Sequence, residues 1–233
     1  MSIDSLQVAS AALAVASPAV AFFVLLFAAA LGRKPSERIV GGLARAAFGL
    51  CAIFALTAAG IHVATNAAPR HVALVPWFGL DSYAFELGIG IDGLSLTFLA
   101  LVGLLSALVG SVSHRYLHRE NGYRRFFLLL SLFSSSMALL VMADTLDLLF
   151  VGWELVGLTS ALLVAFYQER RSPARHGLVA FVVYRICDVG LLTSVVFLHH
   201  FTGRGQLPVG GIAPSISAGA STLLGLLLLW GSL

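Results

Sequence analysis

Polar residues in this chain gather into short islands. Between them lie seven stretches in which almost every position is apolar or small: residues 8–31, 46–64, 94–112, 126–143, 148–167, 177–198 and 212–233. Each is near the ~20 residues that a helix needs to cross bilayer hydrocarbon, so the pattern predicts seven spans. The second island is the only long one, and in it Phe85-Glu86-Leu87-Gly88-Ile89-Gly90-Ile91-Asp92 alternates apolar with small or polar residues, as a half-buried strand does. With Val72 to Val75 before it and Pro76 and Gly79 between, the island predicts a short β-hairpin, with Trp77 and Tyr83 suited to a membrane–water interface. The expected organisation is two amino-terminal spans in 1–69, a hairpin loop in 70–91, and a core of five spans in 92–233 with the seventh cut short.

Composition agrees with that reading. Hydrophobic residues make up 59% of the chain and charged ones 11%, against about 45–50% and 25% in soluble domains, which excludes an aqueous globule. The expected fold class is therefore an all-α, multi-pass membrane protein, placed in a bacterial inner membrane. The positions of the basic residues then set its orientation, because Lys and Arg resist translocation. Arg33, Lys34, Arg38 and Arg45 flank the first island, Arg115, Arg119, Arg124 and Arg125 the third, and Arg170, Arg171 and Arg175 the fifth. The alternate islands offer only Arg70 and Arg204, so the odd islands are expected on the cytoplasmic side and the amino terminus outside. Asp4, with no Lys or Arg ahead of the first run, suits a retained anchor rather than a signal peptide. Pro18 is expected to bend that helix or relax one of its turns. Cys51 and Cys187 lie in different runs without metal-ligand spacing and are expected to be packing residues.

Charges inside the apolar runs carry the functional signal. Glu154 lies in the fifth run, about 9 Å below its start at 1.5 Å per residue and so toward the bilayer midplane. An acidic residue there is roughly 2.5–3.5 kcal/mol uphill and needs a partner, a proton or a water pocket. Small neighbours, Gly152, Gly157 and Ser160, suit close helix approach, so this face is expected to point toward other helices. The sixth run holds Arg185 and Asp188, spaced i,i+3 to meet on one helix face. Arg185 is a permanent cation and Asp188 can titrate, with the charge of Arg185 and burial acting on it in opposite senses. Asp147 is a possible start of a polar stripe toward Glu154, or simply an acid that complements the helix dipole. His62 is the one histidine inside a run, within about a turn of its end, and is an accessory candidate. Ser134, Ser135 and Ser136 are expected to hydrogen-bond across helices or line a crevice.

What the sequence lacks also restricts the chemistry. It has no phosphate-binding glycine loop, no Cys/His cluster for a metal or iron–sulfur centre, no Ser/His/Asp arrangement at credible spacing and nothing that points to nucleic acid. No cofactor and no catalytic redox site are expected on this chain. Ion or proton movement is the best account of buried titratable groups on adjacent spans.

The run from Ala143-Asp144-Thr145-Leu146 through Trp153-Glu154-Leu155-Val156-Gly157-Leu158-Thr159-Ser160, with Phe166-Tyr167, Ala180-Phe181-Val182-Val183-Tyr184-Arg185 and Asp188, resembles the antiporter-like membrane subunits of respiratory complex I. The likeness is greatest to their largest member, the NADH-quinone oxidoreductase subunit L type, and Asp92-Gly93-Leu94-Ser95 also fits. It covers the chain from about residue 85 onward. The resemblance implies that Glu154 is the membrane-centre glutamate of a proton switch, with Arg185 and Asp188 as the charged residues that follow it. In that family the glutamate pairs with a lysine on a broken seventh helix, and the channel is built from two inverted five-helix repeats. Lys34 is the one lysine here and lies in a loop. The resemblance thus implies an amino-terminal portion of such a subunit, whose cationic partner for Glu154 comes from further sequence or another chain. The expected partners are the bilayer and the other membrane subunits of a multisubunit complex. Related alternatives are the membrane subunit of a DAB-type inorganic carbon uptake system, a Mrp-type cation/proton antiporter, and a non-conducting assembly subunit.

Overall fold

The computed structural model describes residues 3–80, 83–202 and 218–232, leaving aside the side chains of 73–87, 199, 201, 202, 218 and 232. In chain order these residues form α1 (Ile3–Ala30), α2 (Glu37–Thr65), β1 (Arg70–Leu80), β2 (Tyr83–Ile91), α3 (Gly93–Tyr116), α4 (Tyr123–Val141), α5 (Leu146–Val164), α6 (Arg171–Thr202) and α7 (Ala218–Ser232). Six helices, α1 to α6, are long and apolar enough to cross a membrane, and the chain is a multi-pass membrane protein. The described part of α7 is 15 residues. The expected start of that seventh span, residue 212, lies outside the described residues.

Several helices outrun the apolar stretches that announced them. α2 begins at Glu37 rather than 46, and α6 at Arg171 rather than 177. Hydropathy marks where hydrocarbon begins, whereas the i→i−4 ladder continues through polar residues until a cap stops it. Local chemistry sets some of those stops. The Asp92 carboxylate accepts the Ser95 N–H at 2.6 Å at the start of α3, and the Thr145 hydroxyl accepts the Leu148 N–H at 3.2 Å at the start of α5. Asn66 closes α2 in the left-handed region at φ 46°. Pro18 is buried inside α1 without ending it.

The helices pack as a bundle with an arm. α1 lies against α2 and α4, while α3 joins α2 to α4. α5 then packs on α4, α6 on α5 and α7 on α6. Small residues let the bundle helices close: a Cβ on Gly103 of α3 would stand 2.8 Å from the Ala52 Cα of α2. Ala11, Ala14, Cys51, Ala55 and Leu99 form the core around that crossing. Cys51 is buried as expected; Cys187 is only half-buried, on α6.

Contacts between the connections sort the molecule into two faces. Glu37, at the start of α2, accepts from the His118 ring at 2.8 Å and the Arg119 N–H at 3.2 Å, and Arg125 donates to the Phe166 carbonyl. The first, third and fifth islands therefore share one face, which is rich in arginine. Asp4 pairs with Arg70 at 2.9 Å on the opposite face, which carries the hairpin.

The hairpin is antiparallel, from Arg70↔Ile91 to Leu80↔Tyr83, with irregular register between Ala73 and Val75 and again between Pro76 and Phe78. Proline cannot donate to a ladder, which suits a break at Pro76. Its Gly-Ile-Gly-Ile alternation has a direct use. Ile89 and Ile91 are buried in the bundle core, while Gly88 and Gly90 leave room for the Asp144 side chain, 3.3 Å from a Cβ on Gly88. Gly90 donates to the Met142 carbonyl at 2.9 Å, fastening β2 to the α4–α5 connection. The side chains of Trp77 and Tyr83 lie outside those described.

Candidate functional site

α5 and α6 run antiparallel, and their small residues set the spacing. A Cβ on Gly177 of α6 would meet the Ala161 carbonyl of α5 at 2.7 Å, so the helices are in tight contact near the arginine-rich face. By Gly157 they have loosened: a Cβ there would be 3.7 Å from the Tyr184 ring, ordinary van der Waals contact. On the far side of α5, Gly152 lies against the Leu140 backbone of α4. Gly152 and Gly157 thus face neighbouring helices, as their size predicts. Glu154, between them in sequence, comes opposite Arg185.

Three ionisable side chains meet there. Arg185 Nη1 pairs with Glu154 Oε2, and Arg185 Nη2 with Asp188 Oδ2 at 2.7 Å. The i,i+3 pair expected within α6 is present, and the same guanidinium reaches across to α5. Burial is graded: the side chains are 37%, 24% and 7% exposed for Arg185, Glu154 and Asp188. The Arg185 guanidinium also stands over the Phe181 ring, 5.2 Å from its centroid. Arg185 Nε and Asp188 Oδ1 are buried without a hydrogen-bond partner among the described residues. The network therefore keeps a donor and an acceptor in reserve.

Glu154 was expected to find its cation beyond this chain. In this structure Arg185 supplies one from the neighbouring helix. Lys34 lies between α1 and α2, on the arginine-rich face. Asp147 occupies the first turn of α5, half-buried, where an acid complements the helix dipole. His62 is apart from the charged trio: its Nδ1 is 3.2 Å from Gln7 Nε2, at the end of α2 near the start of α3. Ser134 does hydrogen-bond across helices, donating to Ser106 at 2.8 Å, whereas Ser131 and Ser136 bond back to carbonyls in their own helix.

Three polar contacts had no local sequence signal. His71 of β1 pairs with Asp144 at the α4–α5 connection, His114 meets the Tyr123 hydroxyl at 2.6 Å, and His118 pairs with Glu37. Periodicity reports one helix at a time and cannot register partners on different elements. No group of three or more His, Cys, Asp and Glu side chains fit to hold a metal occurs among the described residues.

Comparison with known proteins gives this geometry a family. Residues 77–127 match the family described as NADH-Ubiquinone oxidoreductase (complex I), chain 5 N-terminus, and residues 143–233 match NADH:quinone oxidoreductase/Mrp antiporter, TM. NADH-quinone oxidoreductase subunit L of Campylobacter jejuni is 33% identical over 218 residues, covering 93% of this chain and 35% of that protein. The subunit L of Mycobacterium tuberculosis is 36% identical over 165 residues, covering 70% of this chain and 26% of that protein. The chain thus spans about a quarter to a third of the length of these relatives. Among solved structures, a chain of the membrane-bound sulfane sulfur reductase, an archaeal respiratory membrane complex, superposes with TM-score 0.77 at 18% identity over 97% of this chain and 44% of its own. A chain of the Mrp complex from Dietzia does so at 0.70 and 24%, over 97% of this chain and 23% of its own. At those identities they show the fold. The family matches and the sequence relatives show that the chain belongs to the antiporter-like membrane subunits of the complex I and Mrp family, and within it to the subunit L type.

Proposed function

We propose that this chain forms part of a proton-translocating subunit within a larger energy-converting membrane complex, with the redox chemistry on other subunits and Glu154 as the switchable carboxylate. The observation that carries the reading is the trio itself. Two carboxylates share one guanidinium, so with both ionised the site has one negative charge in excess, and a single proton or an incoming cation neutralises it. In a low-dielectric setting that excess is costly, and either a proton or a cation relieves it. Arg185 cannot give up its own proton, so the exchangeable one resides on Glu154 or Asp188.

The geometry supports a simple switch. Arg185 holds Glu154 with one nitrogen and Asp188 with another, from the less closely packed stretch between α5 and α6. Movement of the guanidinium toward Asp188, or approach of a further cation to Glu154, changes which carboxylate is compensated and therefore which one carries the proton. Conformational change elsewhere in the complex has only to bias those two arrangements. We place the arginine-rich face on the cytoplasmic side and the hairpin outside, in keeping with the distribution of basic residues.

Glu154→Gln in the assembled complex tests this. Glutamine keeps the shape and leaves Arg185 and Asp188 as a neutral pair, so the complex should assemble while proton pumping is lost. Pumping at the wild-type level would remove Glu154 from the pathway. A second reading, a Mrp-type cation/proton antiporter, is favoured by the family match over 143–233 and the Mrp fold likeness. Co-purification with quinone-reducing subunits supports the first reading, and sodium-dependent proton exchange without them supports the second.

A further inference from the structure

The arginine-rich face holds a cleft, away from the Glu154 trio, formed where α1 ends and α4 begins. It encloses about 370 Å³. Leu25 of α1, Val40 of α2 and Leu128 of α4 line its apolar part, and Arg33, Lys34, Arg124 and Arg125 contribute the charge. Four cations around one cleft repel each other unless an anion joins them.

The chain itself supplies little of that anion. Arg125 is partly committed, donating to the Phe166 carbonyl. Arg33, Lys34 and Arg124 form no ion pair among the described residues. Glu37, the nearest acid in sequence to Arg33 and Lys34, is taken by the His118 ring and the Arg119 N–H. Arg124 and Arg125 moreover occupy the first turn of α4, which has no acidic residue and no side-chain cap from Gly122. The helix dipole opposes cations in that position and favours an anion. The walls decide what kind of anion. A free phosphate gains nothing from Leu25, Val40 and Leu128, whereas a phosphate with an acyl tail uses both halves of the cleft. Leu26 and Phe27, which follow the lining residue Leu25 along α1, are exposed.

We infer that this cleft binds an anionic glycerophospholipid, its phosphate held by Arg33, Lys34 and Arg124 and an acyl chain lying against Leu25, Val40 and Leu128.

Native mass spectrometry of the full chain in detergent, with phosphatidylglycerol and phosphatidylcholine offered in equal amounts, tests the inference. Phosphatidylglycerol should be retained selectively. The variant Arg33→Gln/Lys34→Gln/Arg124→Gln should bind it roughly 100-fold more weakly, at about 1 kcal/mol per cation. A control with Arg115→Gln/Arg171→Gln/Arg175→Gln removes as many charges from the same face and should lose far less. Leu128→Trp keeps every cation, fills the apolar part, and should weaken the lipid while leaving the charge unchanged. Equal losses in the two triple variants would show general surface attraction and overturn the inference, as would equal retention of phosphatidylcholine. Displacement of the lipid by millimolar inorganic phosphate, or undiminished lipid binding by Leu128→Trp, would mark a free-anion site instead and overturn the lipid reading.

Discussion

The crossing of α2 and α3 and the crossing of α5 and α6 solve the same problem, two apolar helices side by side, in opposite ways. At the first, Gly103 lies against the Ala52 backbone in a core of alanine, leucine and Cys51, and polar groups such as Ser106 have an uncharged partner. At the second, close contact at Gly177 gives way by Gly157 to ordinary spacing, and the polar content is three ionisable groups in one network. The bundle is braced by neighbours around it, while α6 meets only α5 and α7 among the main packing pairs. The charges lie where α5 and α6 are less closely packed than they are at Gly177. A switch needs that arrangement, because two ion-pairing states must differ little in energy to be interconverted.

The largest expected effect comes from cutting the cation out of the network. Arg185→Leu leaves two carboxylates facing each other without compensation, and loss of one partner from a buried ion network costs about 3 kcal/mol or more. The guanidinium is 37% exposed, which puts the expectation at the lower end of that range. Unfolding by denaturing detergent should show it. The triple variant Glu154→Gln/Arg185→Leu/Asp188→Asn, with no charge left to compensate, should regain most of the loss. If Arg185→Leu were as stable as the wild type, the carboxylates would not depend on Arg185 and the contrast between the two crossings would fail.

Packing separates the crossings next. Gly103→Ala places a Cβ 2.8 Å from a backbone atom of α2, which cannot rotate away, and overpacking of this kind costs about 1–3 kcal/mol. Gly157→Ala finds its nearest neighbour, Tyr184, at 3.7 Å and also gains helix propensity, so it should be neutral or slightly stabilising. Thermal unfolding of both in one detergent gives the comparison directly. Similar destabilisation by the two alanines would mean that α5 and α6 are as closely packed beside the charges as the bundle is at its centre.

This contrast also explains what the sequence could and could not reveal. Apolar runs located the six long helices because hydrocarbon demands a continuous stretch, and the Gly-Ile-Gly-Ile alternation located β2 because one face of that strand is buried. Arg185 and Asp188 were paired from spacing alone, since i,i+3 neighbours on a helix must meet. The sequence offers Arg185 and Asp188 as candidate neighbours of Glu154 but not the contact itself, which depends on how closely α5 and α6 approach and at what register. The same holds for His71 with Asp144 and for the cleft between α1 and α4. Helix starts such as Glu37 and Arg171 were misplaced because polar residues that continue a helix look, to hydropathy, like the end of one.

The smallest effect concerns the bundle's own cross-helix polar contact. Ser134 is fully buried and donates to Ser106 at 2.8 Å, a bond between two neutral groups that can each find a substitute. In Ser134→Ala the Ser106 hydroxyl can turn to the carbonyl one helical turn back, as Ser131 and Ser136 already do in α4. The expected cost is therefore about 0.6 kcal/mol, the average for such contacts between membrane helices. A double-mutant cycle with Ser106→Ala isolates it from the change in packing. The cycle also measures how replaceable a polar partner is in the bundle. A guanidinium shared by two carboxylates has no carbonyl that can stand in for it, so a coupling at Ser106 and Ser134 as large as the loss in Arg185→Leu would show that the bundle, too, depends on single polar contacts.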